Sequence, residues 1–361
     1  MIKFNTAWIY FFDMVQIDRS YCMSSFLTFR YVVDENIGWN KDFVPVFPET
    51  TSIGQHKIKS AEDTDKIMRK LVMNKYKKTN KMGLLLSGGI DSAIVAKYIP
   101  KSSVAYTIRF DAKDAIDESI KAKKYAEDCD LNHKIIDITW EDYKKYMSSL
   151  MNNKKSPLHP VEVGLYKTAL IAKEDDVDLL VVGNGADSTF GGLDKLLSVD
   201  WKFNEFIKRY SFTNPERILN TPVSMNHVFE KYRKDKGIDV SNFLKTVHGL
   251  GVVQAFENAV EFAGCEIFAP YEELSLDIPL DMTKIRNGQS KYMLREIFKK
   301  LYPQFEIPIK IAFARPMDQW MEKWDGPKRM EFKDNINLDD FTGEQKWLIY
   351  CLEQFLNLMD E

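Results

Sequence analysis

The chain is short of the features that mark secreted, membrane-spanning or nucleic-acid-coating proteins. Its four cysteines, Cys22, Cys129, Cys265 and Cys351, are scattered. No pair has the C-x-x-C spacing of a zinc or redox site, so reduced and mostly buried thiols are expected. No apolar run approaches the roughly 20 residues that a bilayer span needs. The longest aromatic block, TAWIYFFDMV, is about half of one and carries Asp13. The opening MIKFNTAWIYFFD has one lysine and no small-residue cleavage site, so no signal peptide is expected and a cytoplasmic address follows by default. Fifty basic residues against 53 acidic ones leave a formal charge of −3, which argues against a general nucleic-acid binder. Internal repeats and low-complexity tracts are missing as well.

What is present is ordinary globular material: 361 residues, 45% hydrophobic and 29% charged. That length holds two domains or one large α/β domain. Residues 1–59 read as a small N-terminal α+β extension. In it FLTFRYVV, aromatic and β-branched, predicts a strand, and NKDFVPVFPETTS a proline-broken loop. A helix is predicted from Ser60, a capping residue followed by Glu62, Asp63 and Asp65, with Ile67, Met68 and Leu71 at helical spacing and a basic end.

From Gly83 to about residue 200, strands alternate with helices: GLLLS then DSAIVAKYI, SVAYTIRF then DESIKAKKYAEDC, HKIIDI then WEDYKKYMSSLM, and VEVGLYKTALIAKED before DLLVVG. Repeated units of this kind with apolar strands predict a parallel sheet covered by helices on both faces. Beyond residue 200 strand signals fade. DWKFNEFIKRY, VFEKYRKDKG, GVVQAFENAVEFAG, QSKYMLREIFKKLY and GEQKWLIYCLEQFLNLM all predict helices, giving a mainly helical part from 201 to 361. Residues 60–361 are thus expected to form an α/β unit with a helical second half.

The stretch LLLSGGIDSA, residues 84–93, carries the first chemistry. A buried parallel strand that runs into glycines and turns into a helix makes an anion site, because the backbone can approach a phosphate closely and free N–H groups point at it. The Walker loop is excluded, since no lysine follows the glycines, and so is the dinucleotide fingerprint, which needs a third glycine. Asp91 would repel bound phosphates unless a divalent cation lay between them, so it reads as a Mg²⁺ ligand. A tight turn with Asp91 as a helix cap is the plainer alternative.

SGGIDS, residues 87–92, resembles the S-G-G-x-D-S loop of the ATP pyrophosphatases. Over roughly residues 60–325 the chain is similar to the synthetase domain of the asparagine synthetase family. Asp117-Glu118, Ala122, Ala126 and His133 match its D-E…A…A…H segment. VVGNGADSTFGG resembles S-G-E-G-A-D-E-x-F-G-G, and GCEIFAPYEE resembles G-V-E-x-R-x-P-F-L-D. SKYMLREIF and IKIAFARP resemble the K-x-x-L-R and K-x-x-F-x-x-P pieces. The resemblance implies a PP-loop fold that adenylates a substrate carboxylate with ATP, releases pyrophosphate, and passes the acyl group to ammonia or an amine with loss of AMP. It implies Mg²⁺ on Asp91 and Asp187, with Lys291 stabilising charge on the α-phosphate. Leu85, Ser87, Gly88, Gly89, Asp91, Ser92, Ile108, Gly183 and Lys310 are the implied ATP-binding residues. His133 is expected to be structural, while Tyr166 and Arg109 are further pocket candidates.

Three departures bear on function. The glutamine-dependent members carry a nucleophilic cysteine at position 2, where this chain has Ile2. Nitrogen is therefore expected from free ammonia, a separate glutaminase or a substrate amine. The first glutamate of G-E-G-A-D-E, a proposed base for the incoming nitrogen, is Asn184, which cannot take a proton at neutral pH. Either another group is the base or the nucleophile arrives deprotonated; Glu216 and Glu230 lie in a stretch where β-lactam-forming relatives supply a second acid. The arginine of G-V-E-x-R is Phe268, which removes a grip for a substrate carboxylate and makes aspartate a doubtful substrate. Two other readings stay open: a sulfur-inserting PP-loop enzyme acting on a nucleobase, and a non-catalytic nucleotide-binding partner subunit of an amidotransferase.

Overall fold

A computed structural model describes residues 15–48, 53–113, 115–309 and 315–361. Among the described residues, α1 (Arg19–Phe29) and α2 (Ala61–Tyr76) precede the main sheet. The alternating units follow: β1 (Met82–Leu85), α3 (Ile90–Ala96), β2 (Val104–Phe110), α4 (Ser119–Asp128), β3 (Asn132–Ile138), α5 (Trp140–Lys154), α6 (Glu162–Glu174) and β4 (Leu179–Val181). The second half holds α7 (Gly249–Phe262), β5 (Glu266–Phe268), α8 (Tyr292–Leu301) and α9 (Gly343–Asp360), with shorter helices between.

The strands form one five-stranded sheet in the order β5-β4-β1-β2-β3, all neighbours parallel. Alternation along the strands splits the core in two. Leu84, Ala105, Leu179 and Val181 pack with α2, α3, α4 and α8. Val104, Tyr106, Ile108, Leu180 and Val182 face the other way, onto α1, α5, α6, α7 and α9. Burying each such aliphatic side chain stabilises the sheet by roughly 1.5–3 kcal/mol, and a parallel sheet needs both layers to do it. Helix α2 begins as its sequence predicts: Ser60 Oγ accepts the Asp63 N–H at 3.0 Å, a cap worth about 1 kcal/mol.

Three expectations fail. FLTFRYVV is not a strand but the end of α1 and the turn after it, where Arg30 takes φ 70°. Every residue from Tyr21 to Phe29 is buried, so this helix has no polar stripe, and a short apolar run without one cannot be told from a strand by its period. Its hydroxyls are satisfied locally, Thr28 Oγ1 donating to the Ser24 carbonyl at 2.8 Å and Ser25 Oγ to that of Tyr31 at 3.0 Å. VFEKYRKDKG is helical only over Asn226–Glu230 before a small antiparallel pair, Arg233–Lys234 with Gly237–Ile238. Finally, GCEIFAP supplies β5, an edge strand in the half where strand signals fade. Three residues are too few to show a period.

Candidate active site

The position of β1 between β2 and β4 places the site. The chain leaves β1 for β2 on one side and returns at β4 on the other, so the loops after β1 and β4 part at a crevice beyond the carboxyl ends of the strands, where α/β sheets bind ligands. The loop after β1 is Leu86–Gly89; the one after β4 is the glycine-rich run from Gly183. Ser87 N–H donates to Ser92 Oγ at 2.9 Å, the two hydroxyls lie 2.9 Å apart, and Gly89 N–H reaches Ser87 Oγ at 3.2 Å. The turn is thus closed by its own serines. Tyr271 fixes it from behind by donating to the Asp91 carbonyl at 3.0 Å, and Tyr302 OH donates to that of Ala93 at 2.6 Å.

Asp91, Asp187 and Lys291 meet in the crevice. Lys291 stands at the head of α8 with φ 54°, and its side chain is 6% exposed. Its Nζ lies 2.5 Å from Asp91 Oδ2 and 2.8 Å from Asp187 Oδ1. Burial pushes the ammonium down, but the two carboxylates outweigh it and hold the group above the ordinary lysine range. Gly192 makes room for this arrangement, since a Cβ there would fall 2.0 Å from Asp187 Oδ1 and 2.2 Å from Lys291 Cε.

A cavity of about 350 Å³ opens beside these groups. Leu85, Ser87, Asp91, Ser92, Ile108, Gly183 and Asp187 line it. Gly88 does not; a Cβ on it would press on Glu118, 3.1 Å away. Gly89 caps α3. Lys310 lies outside the described residues. Arg109 forms an exposed pair with Asp137 at 2.6 Å, and Tyr166 stacks on Phe262, so neither lines the cavity. His133 is structural: its Nε2 lies 2.8 Å from Thr107 Oγ1, which donates to the Leu86 carbonyl at 2.7 Å. Burial holds this imidazole below its ordinary range, with the nearby Lys123 adding to the effect.

The cavity also shows groups that the motifs do not point to. Arg30, Arg315 and His159 line its wall. Arg30 lies over the Phe212 ring at 3.6 Å. Burial, and then the charge of Arg315, push its guanidinium down to about 10. Both arginines lie outside the regular elements, one after a misread helix and the other between matched positions, so no spacing betrays them.

A second cavity, of about 390 Å³, shares Asn184, Gly185, Asp187 and Val252 with the first. Glu272 lines it, and Asn184 Nδ2 donates to Glu272 Oε1. Burial, then the charge of Glu257, push this carboxyl up to about 8, against the pull of the Asn184 hydrogen bond. Its signal was legible: in GCEIFAPYEE it stands where the motif has leucine. Glu230 is instead paired with Arg233 at 2.6 Å and exposed, and Glu216 is exposed beside a different hollow. Neither lines these cavities, so the structure does not bring the two residues considered for a second acid to the site.

The described residues contain no cluster of three or more His, Cys, Asp or Glu side chains able to hold a metal by themselves. Two carboxylates converging on one cation are nonetheless the donor set that a hard divalent ion takes, with phosphate oxygens completing the shell. Lys291 Nζ stands in for that cation between them.

A crevice at the switch point of a parallel sheet, with a serine-glycine turn and facing aspartates, defines an α/β protein of the PP-loop class. An asparagine synthase family model matches residues 64–244, half of the chain, and the chain belongs to that family. A putative glutamine-hydrolysing asparagine synthetase of Methanocaldococcus jannaschii is 26% identical over 136 residues, 36% of this chain. The matched stretch spans only 25% of that relative. Among solved structures, an ammonia-dependent NAD synthetase from Campylobacter jejuni is 17% identical, covering 57% of this chain and 97% of that one at a TM-score of 0.27. An NAD⁺ synthetase from Burkholderia pseudomallei is 10% identical over 70% of this chain and 91% of that one, at 0.23. Neither likeness is high enough to add to the family match.

Proposed function

We propose that the chain is an ATP-dependent amide-forming ligase, which adenylates a carboxylate, releases pyrophosphate, and transfers the acyl group to nitrogen with loss of AMP. What carries this reading is the meeting of Asp91, Asp187 and Lys291 beside the Ser87–Ser92 turn. Serine hydroxyls and backbone N–H groups of that turn bind the β and γ phosphates, exchanging their mutual hydrogen bonds for the ligand's. Leu85, Ile108 and Gly183 cover the nucleoside. Asp91 and Asp187 hold Mg²⁺, which when bound neutralises the phosphate tail. Lys291, released from the carboxylates, follows the charge that builds as pyrophosphate leaves. Catalysis of this step is positioning plus charge complementarity, and Lys310 is a further phosphate candidate.

Nitrogen arrives as ammonia, from a separate glutaminase, or on an amine. Sulfur transfer gains no support, because all four cysteines are buried away from the crevice. Cys265 and Cys351 sit against main-chain carbonyls and Cys129 against Tyr302. No described helix is long and apolar enough to cross a membrane. The reading is tested by ATP–pyrophosphate exchange over a carboxylate panel with Mg²⁺. Carboxylate-dependent exchange is expected in the wild type, and its loss in Asp91→Asn. Exchange that needs a nucleobase or tRNA, or near-normal exchange in Asp91→Asn, overturns it; ATP binding without exchange would favour the partner-subunit alternative.

A further inference from the structure

We infer that the 390 Å³ cavity is the acceptor site, that it takes a primary amine with an apolar body rather than ammonia, and that Glu272 receives the amine's proton. The inference deepens the adenylation reading and rests on it for the reaction, though not for the binding site.

Position comes first. The turn Asn184–Asp187 forms a wall of both cavities. A nitrogen held at that wall faces the nucleotide side, where the acyl-adenylate forms. Size comes second. Ammonia is about as large as water, whose share of liquid volume is about 30 Å³, whereas this space is more than ten times larger. Its walls include Ile53, Leu193, Leu250, Val252, Val253 and Leu274. An apolar cavity of these dimensions gains nothing from ammonia and much from a hydrocarbon chain.

Charge comes third. Among the described residues, the carboxyl groups lining the cavity are those of Asp187 and Glu272, and Asp187 is engaged with Lys291 at 2.8 Å. Glu272 is bonded to the neutral Asn184 amide, which orients it and brings no opposing charge. Gly185, at φ 88°, lets the main chain press on it: a Cβ there would come 2.7 Å from Glu272 Cγ. Other groups around Glu272 are Glu257 of α7, with Lys75 of α2 and Glu273 along a small adjoining cleft, and Lys245 and His248 across the cavity. Burial and Glu257 raise Glu272 to about 8. An alkylammonium ion titrates at about 10, so from about pH 8 upward, where Glu272 is ionised, the proton transfer is uphill by about 2 pKa units instead of the roughly 6 that an ordinary glutamate would face.

The ammonium nitrogen gives one proton to Glu272, and its freed lone pair attacks the acyl carbon. The C–N bond forms, the bond from the acyl carbon to the AMP oxygen breaks with its electron pair on AMP, and the second nitrogen proton leaves to water.

The site is tested with n-hexylamine, hexan-1-ol, sodium hexanoate and ammonium chloride as probes, by ligand-observed NMR on the full chain without nucleotide. Hexylamine is expected to bind most tightly. Glu272→Gln should weaken it about tenfold or more while leaving hexan-1-ol unaltered, and Leu250→Trp, which fills the cavity, should weaken both. Hexylamine that fails to bind, binds Glu272→Gln equally well, or binds less tightly than hexanoate overturns the inference. With a carboxylate that supports exchange, amide formation from hexylamine should fall about 100-fold relative to exchange in Glu272→Gln. Hydroxylamine, uncharged near neutral pH, should still be acylated by that variant. A parallel fall of amide formation and exchange overturns the role of Glu272. If no carboxylate supports exchange while hexylamine binding depends on Glu272, the adenylation reading fails and the amine site stands.

Discussion

Replacing Gly192 by alanine tests whether the Asp187–Lys291 contact organises the crevice. Gly192 has no positive φ to protect, so the substitution brings no backbone strain of the left-handed kind. Its effect is crowding alone. The new methyl carbon would lie 2.0 Å from Asp187 Oδ1, 2.2 Å from Lys291 Cε and 2.9 Å from Asp187 Cα. To restore van der Waals distance, the neighbours must retreat by about 1 Å or more. Overpacking of this kind costs about 1–3 kcal/mol. Displacing a positioned charge by about 1 Å costs catalysis about 100-fold. Urea unfolding and ATP–pyrophosphate exchange on the same preparation read the two effects. An alanine variant within about 0.5 kcal/mol of wild type that also keeps its exchange rate would refute the packing argument and the role given to the pair.

Two further outcomes follow from buried charge. Lys154 and Glu162 are both 0% exposed and lie 2.6 Å apart, and Glu162 also accepts from the His159 N–H and Asn258 Nδ2 at 2.6 Å each. Lys154→Met should therefore destabilise the fold by about 3–5 kcal/mol, read by urea unfolding; a loss under about 1 kcal/mol would contradict the pairing. Glu272, raised from 4.5 to about 8, binds its proton more tightly folded than unfolded. It therefore withdraws stability as pH rises from about 4.5 to 8, with no penalty below that window and a constant one above it. Glu272→Gln should gain stability over wild type across the window, by an order of a few kcal/mol at pH 9, and match it at pH 4. A pH-independent difference refutes the shift.

The crevice beside β1 was legible and, Glu272 apart, the second cavity was not, for physical reasons. A strand, a glycine turn and a helix are consecutive in sequence, so SGGIDS announces itself, and the neighbouring pairing of β1 with β4 brings Asp187 to it. Lys291 is 200 residues from Asp91, and the fold brings their side chains together where the motif match had placed them in one site. The second cavity is assembled from single residues of many elements, among them Ile53, Leu193, Leu250 and Leu274. Its pattern exists in space and leaves none along the chain. Helix α1 was misread for a related cause, since full burial erases the polar stripe by which a helix is recognised.

If Glu272 serves as the acid that Asn184 cannot be, exchanging the two side chains should preserve both the contact and the chemistry. At present an amide at 184 donates to a carboxylate at 272. Asn184→Glu alone would set two carboxylates at that contact, where at least one must stay protonated, and should cost about 1–3 kcal/mol. Adding Glu272→Gln restores one donor and one acceptor with their places exchanged. The double variant should then be more stable than the sum of the single effects by about 1–3 kcal/mol, the range for residues that share a hydrogen bond. It should also regain acyl transfer that Glu272→Gln lacks, because a proton acceptor has returned to the same wall. Urea denaturation supplies the cycle, and amide formation from hexylamine the activity. Additive stabilities would mean that the two side chains do not sense each other. A recovered fold without recovered transfer would mean that a carboxylate must stand at 272 itself, facing the apolar cavity, to be of use to the incoming nitrogen.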